Sequence, residues 1–236
     1  MTGVRDGVAT AWLDRPDRGN ALSADATGAL MASVSAALAD PAVHTLVLRG
    51  RGRHFCTGFD LSALETETDA SLRARFVALE RLLQAVWHAP VRTVAVATGR
   101  AWGAGADLFA SCDIRACAPG TTLRFPGTAF GIVLGTRRLV ELIGWDRARP
   151  LVAEGATHDA RAALAAGLAT DLVEGDIEEW LALRCRPPVA DRVTLAAIRE
   201  ATRPERRADD LASLDRSAAR PGLVQRIDHY RKSLKK

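Results

Sequence analysis

The chain has 236 residues, of which 48% are hydrophobic, and this is enough to fill the core of one domain of generous size. Its 32 lysines and arginines exceed its 28 aspartates and glutamates by 4, a modest excess of positive charge. No helical stripe interleaves arginine with aromatic residues, so we expect no nucleic-acid partner. The four cysteines show neither CxxC nor Cys/His metal spacing, which predicts reduced thiols and no metal site.

Membrane and export signals are also missing from the printed sequence. No apolar run approaches the roughly 18 residues that a membrane-spanning helix needs. The residues after Met1 form no apolar segment of the kind found in signal peptides. We therefore expect no membrane association and a cytoplasmic location.

The first part of the chain alternates between strand-like and helix-like patterns. Apolar, β-branched segments predict strands over residues 7–13, 44–48 and 92–97. Ser23 is the predicted N-cap of a helix over 24–38, and an amphipathic pattern predicts a longer helix over 68–88. A strand, helix and strand in this order predict two neighbouring parallel strands.

The later elements are shorter. The patterns predict strands over 114–118 and 121–125, and helices over 104–111, 136–143 and 146–154. Helical patterns after residue 177 are interrupted by Pro187 and Pro188 and by the charged run 203–210. These repeated units alone leave a doubly wound α/β sheet open as an alternative.

Two glycine-containing loops have the same design. Residues 46–60 and 93–113 each begin as an apolar run, pass through glycines and are predicted to continue as a helix. Gly58 precedes Phe59, while Gly103 and Gly105 flank Ala104, so the backbone can approach a ligand closely at both places. If the two backbone N–H groups converge, they form an oxyanion hole. Tight turns without a ligand are the alternative explanation.

The motifs around these loops resemble those of a known family. HFCTGFDL, GRAWGAGADLFASCDIRACA and LDRPDRGNALS are similar, in order and spacing, to signatures of the enoyl-CoA hydratase/isomerase (crotonase) family. The resemblance extends from about Val8 to Glu174. It implies an α/β fold, the crotonase-like ββα spiral, with a core over 1–176 and a divergent, shortened helical region over 177–236.

The resemblance also implies partners and roles. The substrate would be an acyl-CoA, with coenzyme A as part of the substrate and no permanently bound cofactor, and the helical region would mediate a homotrimer or a dimer of trimers. The backbone N–H groups of Phe59 and Ala104 would bind the thioester oxygen, and Asp107 would act as acid and base. Residues matching CoA- or substrate-binding positions are Arg18, Ala21, Leu22, Arg53, Gly58, Asp60, Leu61, Trp102, Gly103 and Gly127.

One departure from the family pattern limits the predicted reaction. Hydratases of this family hold a water between two glutamates, and Asp107 occupies the first of these positions. The second position falls on Gly127, or on Ala129 in a shifted alignment, and neither residue has a carboxylate. Hydration, isomerisation and decarboxylation therefore stay open. The alternative is a catalytically weak or silent acyl-CoA-binding protein. A nicotinamide-binding fold is disfavoured because Leu108 stands where the third fingerprint glycine belongs.

Overall fold

A computed structural model describes residues 3–234 and contains nine strands and ten α-helices in that range. The strands are Gly3–Arg5 (β1), Val8–Leu13 (β2), Thr45–Gly50 (β3), Arg92–Ala97 (β4), Arg100–Trp102 (β5), Ile114–Cys117 (β6), Thr122–Arg124 (β7), Thr157–Asp159 (β8) and Asp171–Leu172 (β9). The helices are Ala24–Ala39 (α1), Asp69–Trp87 (α2), Ala104–Ala110 (α3), Thr136–Ile143 (α4), Trp145–Ala153 (α5), Ala160–Ala165 (α6), Ile177–Arg184 (α7), Arg192–Thr202 (α8), Arg207–Ala218 (α9) and Leu223–Ser233 (α10). Short 3-10 helices occur at Pro16–Arg18, Leu64–Thr66 and Pro126–Phe130.

The larger sheet has the strand order β1-β2-β3-β4-β6-β9. Only β1 and β2 pair in antiparallel fashion, and each later pair is parallel. The predicted parallel crossover around α1 is confirmed, since Val47 of β3 lies opposite both Thr10 and Val94. β3 and β4 are apolar runs rather than alternating segments because helices cover both faces of the sheet.

The smaller sheet, β5-β7-β8, positions the second glycine loop. β5 pairs in parallel with β7 and leads directly into α3. An isolated bridge joins Cys56 to Ala101 of β5, and another joins Leu22 to Phe59. The two glycine loops are therefore held against each other by backbone hydrogen bonds.

The prediction of a helix directly after residue 60 is wrong. The chain instead passes through the 3-10 helix Leu64–Thr66 before α2 begins at Asp69. Gly52 and Gly58 adopt positive φ angles of 71° and 98°, so this segment turns repeatedly and stays irregular. The same expectation is confirmed at the second loop, where α3 follows Gly103 at once.

The helix boundaries follow capping residues. Ser23 caps α1 as predicted, and its Oγ accepts a hydrogen bond from the N–H of Ala26 at 3.1 Å. α2 begins after Thr68, whose hydroxyl accepts a hydrogen bond from the N–H of Ser71. None of the helices between residues 3 and 234 is both long and apolar enough to cross a membrane.

The C-terminal helices pack on the preceding core through charged contacts. Asp113 accepts hydrogen bonds from Arg199 of α8 and, at 2.8 Å, from Arg203 just after it. Asp215 of α9 pairs with Arg73 of α2 at 2.6 Å. The first half of the charged run, 203–206, interrupts the helices as predicted, whereas 207–210 form the first turn of α9.

Candidate active site

A cavity of about 140 Å³ lies where the two glycine loops, the 3-10 helix Pro126–Phe130 and α10 meet. Most of its lining is apolar, and only a few polar side chains face it. The lining residues are Thr57, Gly58, Phe59, Leu61, Phe76, Trp102, Gly103, Ala104, Asp107, Phe125, Pro126, Gly127, Thr128, Phe130, Ile132, Leu134, Thr136, Val152, Tyr230 and Leu234. Such a mostly apolar cleft with few polar groups is typical of a small-molecule site.

Two backbone N–H groups at this cavity have no acceptor in the described part of the chain. The bridge next to Phe59 uses the N–H of Leu22, bonded to Gly58 O at 2.8 Å, and the N–H of Asp60, bonded to Leu22 O at 3.1 Å. This pattern turns the Phe59 N–H away from Leu22. Ala104 is the first residue of α3, so no preceding helical carbonyl accepts from its N–H.

Glycine at position 58 allows these two N–H groups to come together. A Cβ at Gly58 would lie only 2.7 Å from Trp102 O and 3.5 Å from Ala104 N. The backbone at Gly58 therefore packs directly on Gly103 and Ala104. Whether both N–H groups donate to one oxygen atom, as in an oxyanion hole, stays a prediction.

Gly105 seats the first turn of α3 on the other loop. A Cβ at Gly105 would lie 2.5 Å from Cys56 O and 2.6 Å from Cys56 Cβ, closer than such atoms approach. The neighbouring Trp102 N–H donates to the same Cys56 oxygen at 2.9 Å. Any side chain at Gly105 must therefore push α3, with Ala104, away from the Phe59 loop.

On the prediction that the Ala104 N–H binds the thioester oxygen, replacing Gly105 with alanine is expected to lower kcat/KM for the predicted acyl-CoA substrate about 100-fold, because a misplaced oxyanion donor costs about 3 kcal/mol in the transition state. Gly28 in α1 is the matched control, since a Cβ there meets nothing within 4 Å. Gly28→Ala should leave kcat/KM unchanged and increase stability slightly. Steady-state kinetics on both variants makes the comparison. Equal kcat/KM values would show that the contact with Cys56 does not position Ala104.

Asp107 is the one carboxylate that lines the cavity among the described residues. It is 7% exposed, and its side chain accepts no hydrogen bond from residues 3–234. Burial raises its pKa well above the ordinary value; the charge of Arg138 opposes this shift and that of Glu80 adds to it. A Cβ at Gly135 would overlap the Asp107 carboxylate, so this glycine makes room for it.

A buried ion cluster lies close to Asp107 and links three helices. Arg138 of α4 pairs with Glu80 of α2, with 3.2 Å between Arg138 Nη1 and Glu80 Oε2. Asp210 of α9 approaches the same guanidinium at 3.3 Å. Burial raises the pKa of Glu80, and the charge of Arg138 opposes that shift. No sequence pattern indicated this cluster, because its members lie on separate segments.

The structure brings together most of the residues singled out from the sequence. Those that line the cavity are Gly58, Phe59, Leu61, Trp102, Gly103, Ala104, Asp107 and Gly127. Those that lie outside its lining are Arg18, Ala21, Leu22, Arg53 and Asp60. The role of this second group in CoA binding stays a prediction.

The Asp60 carboxylate is occupied by neighbouring groups rather than by the cavity. It accepts a hydrogen bond from Arg15 at 2.7 Å and one from the N–H of Ser62 at 2.9 Å. Although burial alone would raise the pKa of Asp60, these hydrogen bonds outweigh it and lower the pKa. Through these contacts Asp60 braces its loop.

Gly127 lies at the cavity with free space beside it. A Cβ there would meet only Ile132 O, at an ordinary contact distance of 3.7 Å. Ala129, the alternative position for a second carboxylate, is not part of the cavity lining formed by residues 3–234. Of the two aligned positions, Gly127 is the one that lines the cavity formed by the described residues.

Other lining residues were not predicted. Phe76 of α2, Phe130 of the 3-10 helix and Tyr230 of α10 all face the cavity. Phe76 was expected only as part of an apolar helix face, and Tyr230 lies in a region where the family motifs are absent. Their convergence depends on how α2 and α10 pack, which no local pattern specifies.

Comparison with known proteins adds a family and a fold. A family model described as "Enoyl-CoA hydratase/isomerase" matches residues 3–201, past the end of the motifs at Glu174. A "Probable enoyl-CoA hydratase" of Mycobacterium leprae is 35% identical over 184 residues, 75% of this chain and 72% of that protein. A solved structure of a "putative enoyl-CoA hydratase/isomerase" from Bordetella parapertussis is 39% identical, with a TM-score of 0.92 over 98% of this chain and 97% of that one. The fold predicted from the motifs is confirmed.

Proposed function

The chain belongs to the enoyl-CoA hydratase/isomerase family, and we propose that it moves a proton on a bound enoyl-CoA through a single carboxyl group, Asp107. As a member of this family it is a hydratase/isomerase-like enzyme that acts on an acyl-CoA thioester. What is proposed beyond the family is that Asp107 is the acid/base group and that proton transfer is the reaction. The observation that carries it is one buried, unpartnered carboxylate beside two free N–H donors.

The two donors define where the thioester oxygen binds. The N–H groups of Phe59 and Ala104 stabilise the negative charge that develops on this oxygen when the thioester becomes an enolate. Each such donor contributes about 3 kcal/mol to transition-state stabilisation. Because the enolate is stabilised, the carbon next to the thioester becomes acidic enough for a carboxylate to remove its proton.

The CoA end is proposed to leave the cavity beside Thr57. Gly19 packs against Thr57, since a Cβ at Gly19 would lie 2.8 Å from Thr57 Cγ2. Arg18 precedes this glycine and is exposed, as is Arg53 of the neighbouring loop. Both guanidinium groups are proposed to bind CoA phosphates at this edge of the cavity, where Arg18 has a long, exposed contact of 3.7 Å with Asp17.

Double-bond migration is the reaction that one carboxyl group performs alone. Asp107 takes a proton from C2 of a 3-enoyl thioester, the electron pair forms the enolate, and the same carboxylic acid returns the proton to C4. The product is the 2-enoyl thioester, and no other reactant is consumed. The raised pKa of Asp107 suits this role, because the group must hold the proton between the two steps.

Hydration of a 2-enoyl thioester is the second candidate. One observation favours it: the relatives are named hydratases. With one carboxylate to hold the water instead of two, we expect hydration to be the slower reaction. The alternative of a silent binding protein is not favoured, since the family and its named relatives are enzymes. The homotrimer or dimer of trimers and a role in fatty acid metabolism stay predictions.

Assays of the wild-type protein with both substrates test this proposal. We expect conversion of 3-hexenoyl-CoA to 2-hexenoyl-CoA to be faster than hydration of 2-hexenoyl-CoA, because hydration loses roughly 100-fold or more when one of its two acid/base groups is absent. Chromatography of the thioesters measures both reactions. Faster hydration than isomerisation would overturn the choice of reaction. Binding of both thioesters without either conversion would overturn the role of Asp107.

A further inference from the structure

One side of the cavity is formed by a row of aromatic rings. Phe59 stacks on Phe76 with 4.3 Å between ring centroids, Phe76 lies 6.4 Å from Phe130, and Phe130 lies 5.2 Å from Tyr230. The row leads from the loop that carries the proposed oxyanion donor to α10. An acyl group whose thioester oxygen is bound at Phe59 therefore extends along these rings towards Tyr230.

α10 is fixed firmly at this place. The Asp69 carboxylate accepts hydrogen bonds from the N–H groups of Gly222 at 3.0 Å and Val224 at 2.9 Å. Arg226 donates to the carbonyl oxygen of Phe130 at 2.7 Å, which ties α10 to the 3-10 helix of the cavity wall. Ile227 is fully buried one turn before Tyr230. These contacts hold the backbone of α10 in place, so that the ring of Tyr230 forms part of the cavity wall.

The volume limits what the cavity accepts. It measures about 140 Å³. An apolar protein cavity of about 150 Å³ binds one benzene molecule. The space for the acyl group therefore corresponds to about six carbon atoms, as a short chain or as one ring.

The lining also excludes charge. Among its described residues the ionisable side chains are Asp107 and Tyr230, and there is no lysine, arginine or histidine. A second carboxylate at the far end of an acyl group would lie among aromatic rings, and Arg124, whose charge acts on the Tyr230 hydroxyl, is not part of the described cavity lining. Burying an unpaired charge in this way is strongly unfavourable.

We propose that the acyl group of the substrate is compact and uncharged, with about six carbons at most, and that Tyr230 of α10 sets this size limit. The inference rests on the proposed function, because it assumes that the thioester oxygen binds at Phe59 and Ala104. Tyr230 is in this account a specificity-determining residue. It lies beyond residue 201, where the family match ends.

Calorimetric titration with saturated acyl-CoAs from acetyl to dodecanoyl tests the size limit. We expect affinity to rise about fourfold per added methylene up to hexanoyl-CoA, the effect of burying one methylene. Dodecanoyl-CoA should bind at least about tenfold more weakly than hexanoyl-CoA, because a longer chain overfills the cavity. Succinyl-CoA, with the same four acyl carbons as butyryl-CoA and one extra carboxylate, should also bind at least about tenfold more weakly than butyryl-CoA.

Variants of α10 test the role of Tyr230. Tyr230→Ala is expected to move the best-bound chain to octanoyl-CoA or longer, and Tyr230→Trp to move it below hexanoyl-CoA. The variant Tyr230→Trp keeps the test valid if Tyr230→Ala does not fold. His229→Ala is the matched control, since His229 is exposed next to Tyr230 and outside the cavity lining, and it should leave the profile unchanged.

The outcomes separate this inference from the proposed function. Affinity that rises steadily to dodecanoyl-CoA, or a profile that neither Tyr230 variant changes, overturns the size limit and leaves the proposed function intact. Equal binding of succinyl-CoA and butyryl-CoA overturns the exclusion of charge. If no acyl-CoA binds at all, both the inference and the proposed function are wrong.

Discussion

Replacing Asp107 with asparagine is expected to lower kcat for isomerisation of 3-hexenoyl-CoA by about 100- to 10,000-fold, the usual contribution of an acid/base group. The amide has nearly the same shape as the carboxylate but takes up no proton, so the cavity keeps its size. Affinity for butyryl-CoA should change little, because Asp107 does not hold the thioester oxygen. Kinetics and calorimetry on the same preparation measure both quantities.

Asp146→Asn is the matched control for this experiment. Asp146 is an exposed residue of α5, and its amide variant should have wild-type kcat. Wild-type kcat in Asp107→Asn would mean that another group moves the proton. A large loss of butyryl-CoA affinity in Asp107→Asn would mean that the carboxylate binds the thioester rather than reacting with it.

The variant Asp107→Asn should also have a larger free energy of unfolding than the wild-type protein near neutral pH. Burial raises the pKa of Asp107 in the folded protein, whereas the unfolded chain ionises at the ordinary value. Above that ordinary value, ionisation therefore favours the unfolded chain, and the penalty grows until the pH reaches the folded pKa. Urea unfolding should show a gain for Asp107→Asn at about pH 7 and little difference at about pH 3, where both states bind the proton.

Replacing Gly127 with glutamate is expected to raise the rate of crotonyl-CoA hydration by about 100-fold. The new side chain begins where a Cβ meets only Ile132 O at 3.7 Å, so the local backbone needs no adjustment. It enters the cavity that Asp107 lines, and two carboxylates there hold one water between them. Loss of crotonyl-CoA absorbance follows the reaction directly.

Two variants control for size and for position. Gly127→Gln adds the same volume without a carboxylate and should leave hydration slow. Ala129→Glu places a carboxylate at the alternative aligned position, outside the cavity lining, and should have no effect on hydration. Equal gains in Gly127→Glu and Gly127→Gln would show that occupied space, rather than a second acid/base group, limits hydration.

The long elements of the fold could be predicted because local patterns determine them. α1 and α2 have apolar faces at helical spacing and begin after Ser23 and Thr68, and β3 and β4 are apolar, β-branched runs. β5, β8 and β9 have two or three residues each, and they exist only because partner strands bring them into register. Such segments carry no periodicity of their own, so sequence patterns did not indicate them.

In the candidate site, too, some features could be predicted from local sequence and others depend on how distant segments pack. Gly58 and Gly105 were recognisable because the close approach of two loops requires glycine at these positions. The ring of Tyr230 and the cluster of Arg138 with Glu80 come from helices that meet only in the folded chain. The pKa of Asp107 is raised because the residue is buried in the folded chain. The helical pattern around Asp107 did not indicate this burial.

Exchange of the C2 protons of butyryl-CoA for deuterium from the solvent, followed by NMR, tests most directly whether the two N–H donors and Asp107 form an enolate-stabilising site. This saturated thioester has no double bond to hydrate or to move, so the result does not depend on which reaction the enzyme catalyses. We predict that the wild-type protein exchanges these protons and that Asp107→Asn does so at least about 100-fold more slowly. Binding of butyryl-CoA without exchange, or equal exchange by both proteins, would contradict the account.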